Sequence, residues 1–91
     1  MNLEWTNEAL ADLGRLHDFL ATLSKPAAAK TMQALVRAPS VLLANPRIGE
    51  QLFHFEPREV RRILVRDYEL RYEIQGSTIY ILRLWHTREH R

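Results

Sequence analysis

The stretch YELRYEIQGSTIYILRLWH, residues 68–86, decides the fold of this chain. Up to Gln75 it alternates between large apolar side chains and polar or charged ones, which is the two-residue period of a β-strand with one buried face. Gly76 and Ser77 then mark a turn. The segment from Thr78 to Trp85 is apolar on nearly both faces, which predicts a central strand. These residues therefore predict an antiparallel hairpin that carries a central strand.

The loop of this hairpin determines which side chains share a face of the sheet, because one step of register moves every side chain to the opposite face. A three-residue loop at residues 75–77 places Arg71 and Arg83 on one open face together with Trp85. A two-residue loop places the two arginines on opposite faces. We expect the three-residue loop, because it buries the tyrosines and leucines of both strands together.

Upstream of the hairpin the sequence predicts a further strand and two helices. Residues 60–65 are strand-like, and apolar residues at helical spacing predict a helix over residues 7–22, after a short strand at the N-terminus. Ser24 offers a cap for a second helix. Pro39 lies inside the apolar stripe of that second helix, which should kink or break there because proline removes a backbone donor.

This order of elements defines the expected fold class. The sequence predicts an α+β protein, in which an N-terminal strand, an antiparallel helical hairpin and an antiparallel β-meander form one sheet with the helices on one face. A chain of 91 residues is the size of one domain, so we expect a single domain over residues 1–91.

Composition excludes several classes of protein. The chain has no cysteine, which rules out disulfide and thiolate chemistry, and no apolar run approaches the length of a membrane helix. The N-terminus lacks the features of a signal peptide, so we expect a cytoplasmic protein. The four histidines do not have the spacing of metal ligands, and there is no glycine-rich phosphate loop or nucleophile motif. We therefore expect neither a metal nor a cofactor.

The positive charges are mostly arginines of the second half. Eleven of the 13 basic residues are arginine, and nine of them lie from Arg47 onward, where seven acidic residues accompany them. The planar guanidinium group suits phosphate and carboxylate groups. The second half is therefore predicted to meet phosphate or an acidic protein, although solvated strand faces with cross-strand ion pairs would give the same composition.

Three segments together resemble the RelE/ParE toxin family. Residues 4–20 look like the opening strand and first helix of that family, residues 58–73 resemble its next strands, and residues 79–89 resemble its closing strand. The resemblance implies a toxin that a co-expressed antitoxin neutralises by wrapping its surface. It leaves the target open, because RelE-like members cut messenger RNA on the ribosome and ParE-like members poison DNA gyrase on the same scaffold.

A ribonuclease would need a base, an acid and cations that stabilise the pentavalent phosphate. Arg71 and Arg83 match arginines of the ribonuclease members, and His86 falls close to a C-terminal histidine that some of them carry. These three are the candidate catalytic residues if the chain is a ribonuclease. Two departures weaken that alternative: both lysines lie on the predicted helices, and a tyrosine after the last strand is missing.

The incomplete catalytic set and the C-terminal tail, residues 88–91, favour a ParE-like binding toxin that poisons gyrase. A third possibility is an inactive or purely structural member of the family. We expect further residues to contact the target or a nucleic acid: Arg61, Arg62, Arg66, Trp85, Arg88 and Arg91. The expected partners are a cognate antitoxin, which could form a hetero-oligomer with the toxin, and either DNA gyrase or the ribosome with its message. We expect the antitoxin to dock on apolar surface of the helical hairpin or on an exposed strand edge.

Overall fold

The computed structural model describes residues 1–89 of the chain. Along this part of the chain, a short strand is followed by three helices and then by four strands. The strands are β1 (Asn2–Trp5), β2 (Glu50–Gln51), β3 (Glu59–Val65), β4 (Tyr68–Gln75) and β5 (Thr78–His86). The helices are α1 (Asn7–Leu23), α2 (Lys25–Arg37) and α3 (Ser40–Ala44), and one turn of 3-10 helix spans Phe53–Phe55.

The strands form one mixed sheet in the order β1-β5-β4-β3-β2. The last three strands form the antiparallel meander, and β1 runs parallel to β5 on its other side. This places β5 inside the sheet, as its apolar faces predicted. The predicted α+β class is confirmed, and the sheet is mixed because β1 joins it in the parallel direction.

Local signals in the sequence determine where the helices begin and end. The Thr6 hydroxyl accepts a hydrogen bond from the amide of Ala9 at the start of α1. Ser24 follows the last residue of α1 and caps α2 by accepting from the amide of Ala27. The predicted break is confirmed, since α2 ends at Arg37 and α3 begins directly after Pro39.

The core lies between the helices and one face of the sheet. Its fully buried members come from the helices and from β4 and β5: Ala9, Leu35, Leu42, Leu70, Tyr72, Ile79, Ile81 and Leu84. Other apolar side chains of the helices stay exposed, and we call them the helical apolar surface: Leu10, Phe19, Leu23, Val36, Val41 and Leu43. Within residues 1–89, no helix is both long and apolar enough to cross a membrane.

The β4–β5 hairpin corrects the predicted register. Gln75 pairs with Thr78, so the loop has two residues and not three. Gly76 adopts a φ of +57°, the left-handed conformation that tight two-residue hairpin turns favour. A β-bulge farther along the hairpin then shifts the register, and beyond it Arg71 lies opposite Arg83. The prediction was wrong about the loop, and the bulge supplies the extra residue that the loop lacks.

Candidate functional site on the sheet and its C-terminal edge

Arg71 lies on the face of β4 that the helices leave open. Its guanidinium carbon is 4.6 Å from the ring centroid of Trp85 and 5.3 Å from that of Phe55, so the cation lies within reach of two aromatic rings. One terminal nitrogen donates to the Glu69 carboxylate at 3.1 Å. The Nε atom is buried and has no hydrogen-bond partner among residues 1–89. The expectation that Arg71 and Trp85 share a face is confirmed.

Carboxylates on the same face neutralise the neighbouring arginines. Glu69 is buried and accepts from Arg62 as well as from Arg71. Glu73 is also buried and accepts two hydrogen bonds from Arg58, at 2.7 and 3.1 Å. These hydrogen bonds from Arg58 outweigh the effect of burial and lower the pKa of Glu73. On the open face, Arg58, Arg62 and Arg71 are therefore paired with buried carboxylates.

Arg83 is held by a carboxylate of α1. Its Nε donates to Asp12 at 2.8 Å and a terminal nitrogen donates at 3.2 Å. Asp12 also accepts from the amide of Leu84 at 2.9 Å. Burial alone would raise the pKa of Asp12, but the hydrogen bonds from Arg83 and Leu84 outweigh it and hold the pKa below its ordinary value.

His86 faces a groove beside α1. The groove encloses about 550 Å³, and Leu16, Phe19, Leu20 and Tyr68 supply its apolar lining. The Nδ1 atom of His86 accepts from a backbone amide in the C-terminal segment at 3.1 Å. A neutral ring therefore carries its proton on Nε2.

Arg71 and Arg83 are cross-strand partners, but the three candidate catalytic residues engage different groups. Arg71 lies between two aromatic rings on the open face, Arg83 binds Asp12, and His86 lines the groove beside α1. The register places Arg71 opposite Arg83, whereas His86 lies on the face toward α1. A base, an acid and a cation that act on one phosphate would have to converge on it.

Two of the predicted contact arginines are built into the sheet. Arg61 donates to the carbonyl of Gly49 at 2.8 Å and to the Glu59 carboxylate at 3.0 Å. Arg62 pairs with Glu50 across the β2–β3 edge as well as with a carboxylate of β4. Both side chains therefore tie β2 and the loop before it to β3.

Two other predicted contact residues are available to a partner. Arg66 lies in the turn between β3 and β4 with a φ of +56°, and Arg88 lies just after β5. Both are exposed, and neither forms a salt bridge within the part of the chain that the structure describes. Trp85 is buried and packs under Arg71. Arg91, also a predicted contact, lies outside the described residues.

Sequence reasoning missed Asp12 and Phe55. The position of Asp12 contains a signal, because Asp12 follows Ala9 by three residues and precedes Leu16 by four, which places it on the buried stripe of α1. A buried acid on such a stripe needs a partner. Nothing in the sequence indicates the role of Phe55, since it lies in an irregular segment and only the folded chain brings it against Arg71. Among residues 1–89, no group of three or more histidine, aspartate or glutamate side chains could hold a metal ion.

Comparison with known proteins identifies the family of this chain. A sequence model described as the ParE toxin of the type II toxin–antitoxin system parDE matches residues 3–91. A solved structure described as the chromosomal ParDE toxin–antitoxin system from P. aeruginosa superimposes with a TM-score of 0.79 and 28% sequence identity, over 94% of this chain and 95% of that one. No curated protein matches. Since the family match covers nearly the whole sequence, the chain belongs to the ParE toxin family of type II toxin–antitoxin systems.

Proposed function

We propose that this protein inhibits growth by poisoning DNA gyrase and acts as a binding toxin rather than as a nuclease. The observation that carries the proposal is that the three candidate catalytic residues engage different groups and do not face one common site. Arg71 is engaged by Trp85 and Phe55, and Arg83 by the buried carboxylate of Asp12. Membership of the ParE family supports the same function.

The proposed contact surface is the end of the sheet where the β3–β4 turn and the C-terminal segment lie together. The amide of Thr87 donates to the carbonyl of Asp67 at 2.8 Å, so the segment is tied to the turn. Arg66 and Arg88 are exposed on either side of this tie. Two exposed cations that form no salt bridge with residues 1–89 can bind an acidic protein surface or a phosphate.

We further propose that a cognate antitoxin covers the helical apolar surface. Phe19 is 63% exposed and Leu23 is 72% exposed, although both lie on α1 beside residues of the core. Apolar patches of this kind on a small domain indicate a protein interface. A partner that buries them would also stabilise the folded toxin by mass action. We also propose that the toxin acts in the cytoplasm, where its proposed target lies.

Brief expression of the toxin alone in bacterial cells tests the choice of target, with total protein synthesis and DNA synthesis measured side by side. The proposal predicts that DNA synthesis falls first while translation continues. Early loss of translation with cut messages would contradict it and would support the alternative, a RelE-like ribosome-dependent endoribonuclease that uses Arg71, Arg83 and His86.

The antitoxin proposal has a separate test. Replacing Phe19 with Ser should weaken binding of the co-expressed antitoxin, because it removes an exposed aromatic side chain from the proposed interface. Asp18→Ser is the matched control, because Asp18 is next to Phe19 in the chain and its side chain is exposed and polar. Equal recovery of the antitoxin with wild type and with Phe19→Ser would contradict the proposed interface.

A further inference from the structure

The outer edge of β5 changes its neighbour part-way along the strand. Up to Ile81 that edge pairs with β1. Beyond Ile81 the start of α1 lies there instead, and its side chains satisfy the backbone of β5. The Thr6 hydroxyl contacts the carbonyls of Ile81 at 2.8 Å and of Leu82 at 3.1 Å, and Arg15 donates to the carbonyl of Leu84 at 3.2 Å. Side chains of a helix thus replace a strand along this edge.

Asp12 makes the central contacts of this replacement. Its side chain is only 6% exposed, and it accepts from the amide of Leu84 and from two nitrogens of Arg83. A buried carboxylate is stable only when donors replace the water that it has lost. The carboxylate therefore holds both the backbone and the side chain of β5 at adjacent positions.

These adjacent positions lie directly after the β-bulge. Leu82 is the extra, unpaired residue of β5, and after it Arg71 lies opposite Arg83. In a regular ladder Arg71 would lie opposite Leu82 instead. Every later side chain of β5 would then point to the other face, and Trp85 would turn toward the helices and away from Arg71.

We propose that Asp12 is a positioning residue: by holding the amide of Leu84 and the guanidinium of Arg83 it fixes the bulge, and so sets which face of the sheet carries Trp85 and which carries His86. The consequence for toxicity rests on the proposed function, because the C-terminal segment with Arg88 follows the same strand. The consequence for structure is independent of the proposed function, and it can be measured without gyrase.

The first measurement is backbone amide hydrogen exchange in Asp12→Ala. The Leu84 amide loses a charge-assisted hydrogen bond, so its exchange should accelerate by about tenfold or more beyond any acceleration at the amides of Ile79 and Ile81. Asp18→Asn on the same helix is the control, and it should leave all three amides unchanged. An equal acceleration at Leu84, Ile79 and Ile81 would mean that Asp12 supports only global stability, which would overturn the proposal.

The second measurement follows the position of Trp85 in a Trp5→Phe background, where Trp85 is the single tryptophan. Trp85 is 7% exposed in the wild-type fold. Asp12→Asn, which keeps the side-chain shape and loses the charge, should increase quenching of Trp85 emission by acrylamide while the chain remains folded. Unchanged quenching together with an intact Arg71–Arg83 pairing, observed as cross-strand nuclear Overhauser contacts, would contradict the proposal.

A deletion of Leu82 separates positioning from general stability. Removing the extra residue makes the ladder regular and keeps Trp85 on the open face without a bulge. In that background Asp12→Asn should change the quenching of Trp85 much less than it does in the full-length chain. An equally large change in both backgrounds would show that Asp12 does not act through the bulge, and growth assays of the same variants then test the proposed function separately.

Discussion

The two ends of the β4–β5 hairpin are determined in different ways. At the turn end, residues 72–75 pair with residues 78–81 in a regular ladder beside β1, and their apolar side chains enter the core. At the tail end, residues 68–71 pair with residues 83–86 beyond the bulge, and two buried carboxylates, Glu69 and Asp12, hold arginines beside the core residues there. The difference teaches that alternation in the sequence predicts the buried face of the turn end, whereas the tail end follows a bulge where Asp12 of α1, a distant part of the sequence, contacts β5.

Truncating the core at the turn end should have the largest effect on stability. Ile81 is fully buried, so Ile81→Ala should lower the free energy of unfolding by about 2–5 kcal/mol, measured by urea denaturation. Leu64→Ala is the control, because Leu64 is 66% exposed and its loss should change stability by at most about 0.5 kcal/mol. Similar costs for the two variants would contradict the placement of the core.

A smaller loss of stability is expected from a substitution at Gly49, which lies in the loop that contacts Tyr72 of the turn end. A Cβ atom at Gly49 would lie 2.6 Å from the carbonyl oxygen of Arg62 and 2.7 Å from the hydroxyl oxygen of Tyr72. That hydroxyl oxygen also accepts a hydrogen bond from the Gly49 amide. Gly49→Ala should therefore cost about 1–3 kcal/mol in thermal or urea unfolding.

The matched control for this variant is Gly14→Ala. An added Cβ at Gly14 meets nothing within 4 Å, and the residue lies inside α1, so the substitution should stabilise the fold by about 0.5–1 kcal/mol. Changes of opposite sign in the free energy of unfolding would support the close packing of Arg62 and Tyr72 against Gly49. Stabilisation by both substitutions would disprove it.

The tail end should differ from the turn end in its response to pH. The pKa of Asp12 is lowered in the fold because hydrogen bonds from Arg83 and Leu84 outweigh its burial. A carboxylate with a lowered pKa contributes stability above its unfolded pKa and loses that contribution as the pH falls through the folded pKa. The stability advantage of wild type over Asp12→Asn should therefore be full near neutral pH and shrink below about pH 4.

Urea denaturation of both proteins between about pH 7 and about pH 3 measures this difference. Other carboxylates with lowered pKa values, such as Glu59 and Glu73, are present in both proteins and cancel in the comparison. An advantage that stays constant as the pH falls would indicate that the charge of Asp12 does not contribute to the fold.

The smallest effect on stability is expected at the exposed cations of the tail end. Arg66→Asn and Arg88→Gln should change the free energy of unfolding by no more than about 0.5 kcal/mol, since neither side chain is buried and asparagine tolerates the positive φ of Arg66. They should nevertheless reduce growth inhibition, because they remove the proposed target contacts. Arg37→Gln, an exposed change on α2, is the control, and equal toxicity in all three variants would remove Arg66 and Arg88 from the contact surface.

The sequence predicted the helices, β1 and the last three strands well because each carries local signals, whereas β2 and the 3-10 turn were not predicted. The caps at Thr6 and Ser24, the break at Pro39 and the alternation of β4 depend on neighbours in the chain, and the structure confirms them. The loop length of the hairpin was predicted wrongly, since the prediction placed the extra residue in the loop. The structure places it at Leu82, where α1 replaces β1 along the strand.

The candidate site was less predictable, for a physical reason. The sequence placed Arg71 and Trp85 on one face, but the partners that occupy the arginines come from distant segments. Phe55 lies in a 3-10 turn and Asp12 on a helix, and no periodicity connects either with the hairpin. Predicting which arginines pair with carboxylates therefore requires the fold. Only there do Arg66 and Arg88 differ from the other described arginines of the second half, which form salt bridges within residues 1–89.

The most direct test of the central claim adds the purified toxin to purified DNA gyrase and, in parallel, to translating ribosomes. The account predicts that supercoiling of plasmid DNA by gyrase is inhibited at toxin concentrations that leave the messenger RNA uncut. It also predicts that inhibition is weaker with Arg66→Asn and Arg88→Gln. Unaffected supercoiling together with cleavage of messenger RNA on the ribosome would contradict the account.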